Sequence, residues 1–347
     1  MLMLEAIRIV TVSIISFAVA FTLAPIILRT LRRVKAGKQI RVSEESPIFS
    51  SLHKKKEGTP TMGGITIWLT LAIVTGVLWL MENLYDGFWG FLNFVDRGET
   101  FLPLAAFFIA ALLGLFDDIM GVMRMGDKGG GLKVSHKLIV YFLISTVGAW
   151  WFLFKLDWVS IHVPFFGDFN IGIWYVPIFM FIIVASAFAG DITDGLDGLW
   201  GGISLFIYVT LGIIAFAMGR FELAAMIGVV LGAILAFLWF NIYPARFFMG
   251  DTGAMALGIT MGVITMLTDT VFLLPIFAII PAVEACSVII QTISKKVAKR
   301  KIFLSTPIHH HFEALGWPES LITMRFWIIS IMGAGSALAI FFLDRLL

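Results

Sequence analysis

The chain carries three carboxylates within seven residues, in the run Asp191-Ile192-Thr193-Asp194-Gly195-Leu196-Asp197-Gly198, with no Lys or Arg among them. Such a glycine-punctuated turn suits a metal or a hydroxyl-bearing ligand, and the alternative is a solvated tight turn. Asp194 and Asp197, three apart, share a face if the turn is helical. A second pair, Asp117-Asp118, directly follows the apolar run FLPLAAFFIAALLGLF. Adjacent carboxylates at a helix C-terminus repel each other and oppose the helix dipole, so the pair is either a solvated surface pair or one that handles a cation or a proton. Lys133 and Lys137 stand one helical turn apart and could serve a phosphate. Asp251 closes the segment Asn241 to Gly250 and opens an apolar run, where a helix N-terminus favours a carboxylate or a nearby phosphate. In His309-His310-His311-Phe312-Glu313 the imidazoles fan out by ~100° each on a helix, so one or two at most can face one ligand. Phosphate or sugar contacts suit them at least as well as zinc. The last cluster, Lys54 to Gly64, reads either as a basic loop leading into a close-packed helix or as an amide-rich turn able to contact an anion.

There is no serine–histidine triad and no Walker loop in the chain. Hard carboxylate oxygens suit Mg²⁺, and flanking lysines suit phosphate. Phosphoryl transfer requires negative charge to be neutralised and the attacking oxygen to be held in line, and these residue types can do both.

The elements that must position these residues are read from hydropathy. Of 347 residues 59% are hydrophobic and 14% charged, and the mean hydropathy is +0.97. A soluble domain could not hide that much apolar surface, so the solvent for most of the chain is lipid. Ten membrane spans are predicted, at roughly 6–28, 62–81, 101–116, 138–154, 173–190, 199–217, 223–240, 254–268, 271–293 and 326–343. The ninth is expected to be interrupted by Pro275 and Pro281. All but five of the 25 Lys and Arg fall in loops on one side of this arrangement, the exceptions being Arg8, Arg97, Lys155, Arg220 and Arg345. That side is therefore expected to be cytoplasmic, with both termini outside. Every polar cluster falls on it. The mix of β-branched and aromatic residues with Gly and Pro in 155–172 predicts a small hairpin on the outer face. The whole chain, 1–347, reads as a single all-α integral membrane domain. The first stretch is expected to be an uncleaved helix, the lone Cys286 excludes an intrachain disulfide, and the net charge of +2 gives no reason to expect a nucleic-acid partner.

The motifs GTPTMGG, Asp117-Asp118, TDGLDG, N-x-x-P-A-x-x-F-M-G-D-T-G and HHHFE-x-x-G-W, in this order, resemble those of the bacterial phospho-N-acetylmuramoyl-pentapeptide-transferase family, over nearly the whole chain. The resemblance implies a Mg²⁺-dependent enzyme of the bacterial inner membrane, active at the cytoplasmic face. Its substrates would be UDP-N-acetylmuramoyl-pentapeptide and undecaprenyl phosphate, and its products lipid I and UMP. It further implies Asp251 as the Mg²⁺ ligand. Asp117 and Asp118 would position or deprotonate the lipid phosphate, and Asn241, His309, His310 and His311 would complete the polar shell. Asp194, Gly195, Leu196, Asp197 and Phe248 would form the nucleoside wall, Gln291 would touch the base, and Lys137 would be the lysine that follows the Asp pair. Asp191 stands where the family carries Asn, which alters the detail of nucleoside contact, since a carboxylate cannot donate. The first loop departs as well, with Ser46-Pro47 where Gly-Pro is expected.

Both a single in-line attack by the lipid phosphate and a covalent phospho-aspartyl route are open, with the first favoured because a phosphate monoester is already mostly dianionic near neutral pH. A related transferase using UDP-N-acetylhexosamine is the nearest alternative. An ion-coupled transporter is a distant one, because Glu284 is the clear mid-span acid and is expected to be a buried, paired group. The oligomeric state, including a homodimer, is left open.

Overall fold

The computed structural model describes residues 1–37, 56, 58–85, 87–96, 98–125 and 131–347. Lys54, Lys55 and Glu57 of the basic loop, Ser46-Pro47, and most of the glycine-rich stretch before Lys133 lie outside the described residues.

With no water to satisfy the backbone, a chain this apolar must close its hydrogen bonds within each segment, and helices do that. Ten long helices result: α1 Leu2–Arg33, α2 Ile65–Leu84, α3 Phe101–Val122, α4 Val134–Lys155, α5 Tyr175–Thr193, α6 Leu199–Ala217, α7 Phe221–Asn241, α8 Asp251–Leu267, α9 Ile279–Val297 and α10 Glu319–Asp344. Each overlaps one predicted span. Among the described residues eight are long and apolar enough to cross a membrane, α8 and α9 being the other two. Helix α8 has 17 residues, about 25 Å at the usual helical rise and short of the roughly 30 Å of hydrocarbon. It need not span alone, because every residue from Thr252 to Leu267 is buried. Helices α2, α3, α5 and α6 pack around it. Small residues allow the approach: a Cβ on Gly64 of the α2 entry would lie 2.5 Å from the Gly253 Cα.

Several boundaries differ from the hydropathy reading. Helix α3 runs on to Val122, so Asp117 and Asp118 lie within it and not beyond its end. Helix α5 continues to Thr193, which puts Asp191 in its last turn. Hydropathy ends a span where charge begins, whereas the backbone continues while its hydrogen bonds are made. The predicted ninth span is two helices, Leu274–Phe277 and α9, separated at Ala278. Pro275 and Pro281 each occupy a first turn, where no donor is needed, so the chain breaks between them and is not kinked within one helix.

The helices alternate in direction, and the polar clusters gather at one end. The other end carries the predicted hairpin: β1 Ser160–Val163 pairs antiparallel with β2 Gly167–Asn170, His162 opposite Asp168. At that end Arg8 of α1 donates to Glu5 at 3.1 Å, to Glu222 of α7 at 3.0 Å and to the Asn93 carbonyl at 2.5 Å. His162 Nδ1 meets Asp168 at 2.6 Å and Nε2 meets Asp344, the last residue of α10, at 2.7 Å. Asp344 also accepts from the Phe165 amide at 2.5 Å, so the hairpin is tied to the C-terminal helix. Partial burial disfavours the imidazolium, but the bonds to Asp168 and Asp344 outweigh it and raise the His162 pKa above its ordinary value.

A pKa higher in the folded protein than in the free chain means that this tie contributes fully below the ordinary histidine value of about 6.5, and is lost as pH rises through the raised folded value. Protection of the hairpin amides against hydrogen exchange is expected to fall over that rise. The pH step should vanish in His162→Gln; a step that persists there would assign it to another group.

Candidate active site

Four helix ends meet around one ammonium group. Lys137, in the first turn of α4, sets its Nζ 2.9 Å from Asp117 of α3 and 3.3 Å from Asp191 of α5, and bonds Asp251, the first residue of α8. Its side chain is 14% exposed, in a setting where an unpaired charge is costly. With all three ionised, the carboxylates would exceed the ammonium by two charges.

The start of α8 is capped from outside itself. The Thr252 amide donates to Asp118 at 3.0 Å and the Gly250 amide to Asp194 at 3.2 Å, satisfying donors that a helix N-terminus leaves open. Gly250 takes φ +74°, and a Cβ there would lie 2.5 Å from an Asp118 oxygen, so no larger residue fits. Asp117 accepts a second bond, from the Leu132 amide at 2.5 Å, which holds the entry to α4 against α3.

Beside this cluster the 194–198 turn is locked to three other segments. Asp197, almost fully buried, pairs with Lys56 at 2.6 Å and accepts from the Ala245 amide at 2.9 Å. Its own amide donates to Glu319, the first residue of α10, at 2.6 Å, and Glu319 also binds Lys56. Lys56 Nζ stands 5.6 Å from the centre of the half-buried Phe248 ring.

The sequence model of glycosyl transferase family 4 matches residues 100–269. A phospho-N-acetylmuramoyl-pentapeptide-transferase of Clostridium perfringens (strain 13 / Type A) is 36% identical over 94% of this chain and 96% of its own length. Proteins of the same name from Chloroflexus aurantiacus (strain ATCC 29366 / DSM 635 / J-10-fl) and Clostridioides difficile (strain 630) are 38% and 36% identical, over 94% and 95% of this chain and 89% and 97% of their own. The chain belongs to the phospho-N-acetylmuramoyl-pentapeptide-transferase family. It is thus a multi-pass membrane protein and a phosphosugar transferase.

Of the site residues that the family motifs nominate, Asp117, Asp118, Asp191, Asp194, Asp251 and Lys137 share the cluster at the helix ends. Asp191, the departure from the family Asn, is thereby a partner of Lys137. Asp197, Leu196, Gly195 and Phe248 lie in or against the adjoining turn. Asn241 is buried and joins two loops, accepting from the Gly198 amide at 3.1 Å and donating to the Phe247 carbonyl at 3.0 Å. Gln291 likewise accepts from the Ile302 and Phe303 amides at 2.9 and 3.1 Å and donates to the Phe303 carbonyl. Both amides are engaged by protein backbone. Lys133 is exposed and stands at the N-cap of α4.

The histidines fan out as their spacing requires. His309 is buried against Glu284 at 2.9 Å, His310 meets Glu313 at 2.6 Å, and His311 accepts from the Leu304 amide at 3.1 Å. The Gly63 and Gly64 amides donate to the Phe248 and Met249 carbonyls at 2.7 and 2.8 Å. The GTPTMGG turn therefore grips the FMGD segment and does not offer those amides to an anion. Glu319 was not singled out from sequence, since it lies in no acidic motif and 263 residues separate it from its partner Lys56.

Among the described residues no three His, Cys, Asp or Glu side chains converge as a ready-made metal site. Asp117, Asp191 and Asp251 are set around the Lys137 ammonium. In donor type and in surplus charge they nevertheless fit a hard divalent cation.

Lys137→Met leaves those carboxylates without their cation and is expected to cost roughly 3–5 kcal/mol of stability, the usual loss when one partner of a buried ion pair is removed. Unfolding in detergent measures it. Adding Asp191→Asn should restore part of the loss; a double variant no more stable than Lys137→Met would separate Asp191 from the network.

Proposed function

We propose that this protein transfers phospho-N-acetylmuramoyl-pentapeptide from its UDP carrier to undecaprenyl phosphate, forming lipid I and releasing UMP, with Mg²⁺ as cofactor. The observation that carries the reading is the meeting of Asp117, Asp191 and Asp251 on Lys137 at the start of a helix, in a chain of this family. A helix N-terminus with an adjacent lysine favours a phosphate, and the surplus carboxylate charge favours a divalent cation. By the hydropathy reading, all but five of the 25 Lys and Arg fall on the side of the polar clusters, which supports a cytoplasmic orientation in a bacterial inner membrane.

Asp251 would hold the Mg²⁺, with Asp117 beside it. Bound there, the cation would neutralise pyrophosphate charge during phosphoryl transfer. Lys137 would hold a phosphate oxygen once it is shared between the carboxylates and the substrate. Asp118 fixes the start of α8 through Thr252 and so keeps Asp251 in place. The lipid phosphate, mostly dianionic near neutral pH, attacks the sugar-proximal phosphorus in line. The P–O bond to UMP breaks, and UMP leaves with the electron pair. Phe248 offers a ring to the uracil beside the Asp194–Asp197 turn, and His309 and its neighbours complete the polar wall.

UMP release in detergent, with undecaprenyl phosphate and each candidate UDP-sugar in turn, tests the reading. Turnover is expected with the muramoyl-pentapeptide donor, to require Mg²⁺, and to be abolished by Asp251→Ala. Preference for a UDP-N-acetylhexosamine would change the donor, and wild-type-like turnover of Asp251→Ala would remove the metal assignment.

A further inference from the structure

Glu284 is a carboxylate in the middle of α9 with 0% of its surface exposed. Such a group is costly in an apolar span unless something requires it. Its Oε1 lies 2.9 Å from Nδ1 of His309, itself 0% exposed. The other two polar atoms of the pair, Glu284 Oε2 and His309 Nε2, have no hydrogen-bond partner among the described residues. Nε2 faces Gly195: a Cβ on that glycine would lie 2.1 Å from it. Gly195 sits between Asp194, which caps the start of α8, and Asp197, which ties the turn to Lys56 and α10. His309 stands on a helix of only seven residues, Ile308–Ala314, too short to be rigid without an anchor. Glu284 supplies that anchor from a long helix.

We infer that Glu284 is a positioning residue for His309: it engages Nδ1, fixes the plane of the ring, and leaves Nε2 as the atom presented to the nucleotide at the Gly195 turn. An ionised carboxylate can only accept, so Nδ1 carries the proton in this arrangement and Nε2 is left free for substrate. The role follows the general pattern in which a partner on one imidazole nitrogen sets the chemistry of the other. It rests on the transferase reading above.

A double-mutant cycle tests it. Glu284→Met keeps the volume but removes the acceptor and leaves the buried Nδ1 without a partner, so some loss of thermal stability is expected, while kcat/KM for the nucleotide donor, measured on the folded protein, falls about 10- to 100-fold. Glu284→Gln, which can still accept from Nδ1, should recover most of the loss. On a His309→Asn background Glu284→Met should cost less than about threefold, because the residue through which it acts is already gone. An equal loss in both backgrounds, or full activity of Glu284→Met, overturns the inference; if the Met variant does not fold, Glu284→Ala takes its place in the cycle. Independently of turnover, ¹⁵N spectra of the histidine-labelled protein are expected to show His309 protonated at Nδ1, and to lose that signal in Glu284→Met. An unchanged spectrum overturns the inference while leaving the transferase reading intact. A wild-type protein that shows the spectral change but releases no UMP from any nucleotide sinks the transferase reading and leaves the positioning of His309 standing.

Discussion

A single ammonium group among three carboxylates is the constraint on which the site depends. Lys137 is the common partner of Asp117, Asp191 and Asp251, and those residues come from α3, α5 and α8. In a weakly polar interior, charges of one sign cannot be gathered from separate helices without a counter-charge. The lysine therefore sets the register of three helix ends against a fourth. With all three acids ionised it does not balance them completely.

The same acids also hold the fold, so structural and chemical roles cannot be assigned to different residues. Asp118 and Asp194 supply the missing cap of α8, and Asp117 fixes the entry to α4. Each bond uses a backbone amide that would otherwise be unsatisfied, a requirement as strict near lipid as in a protein core. Gly250 makes this possible, since its φ of +74° and missing side chain leave room for Asp118 to reach the helix start.

How much of this was legible depended on the range over which each feature acts. The long helices and the small hairpin follow from local composition, and the ten long helices among the described residues lie where apolar runs lie. Helix ends were legible only roughly: the Asp117-Asp118 pair reads as loop by charge yet sits in α3, because Lys137 and the Thr252 amide compensate it from elsewhere. That the acidic motifs would gather was legible because acids are costly in so apolar a chain unless they find partners. Asn241 and Gln291 show the limit, since the backbone bonds by which each fastens neighbouring segments could not be read from sequence. Glu284 was legible as a buried pair, but its partner lies 25 residues on, in a segment whose path only the fold defines.

Helix α8 meets no lipid along its length, being enclosed by other helices from Thr252 to Leu267. Bilayers differ in thickness by several ångströms, and spans that touch lipid respond by tilting or by deforming the membrane around them. A helix wrapped wholly in protein is shielded from that adjustment, and it carries Asp251 at its tip. Changes in lipid chain length or sterol-like ordering would accordingly be taken up by peripheral helices such as α1 and α4. The Asp251 end of α8 is expected to keep its depth across membranes of different make-up.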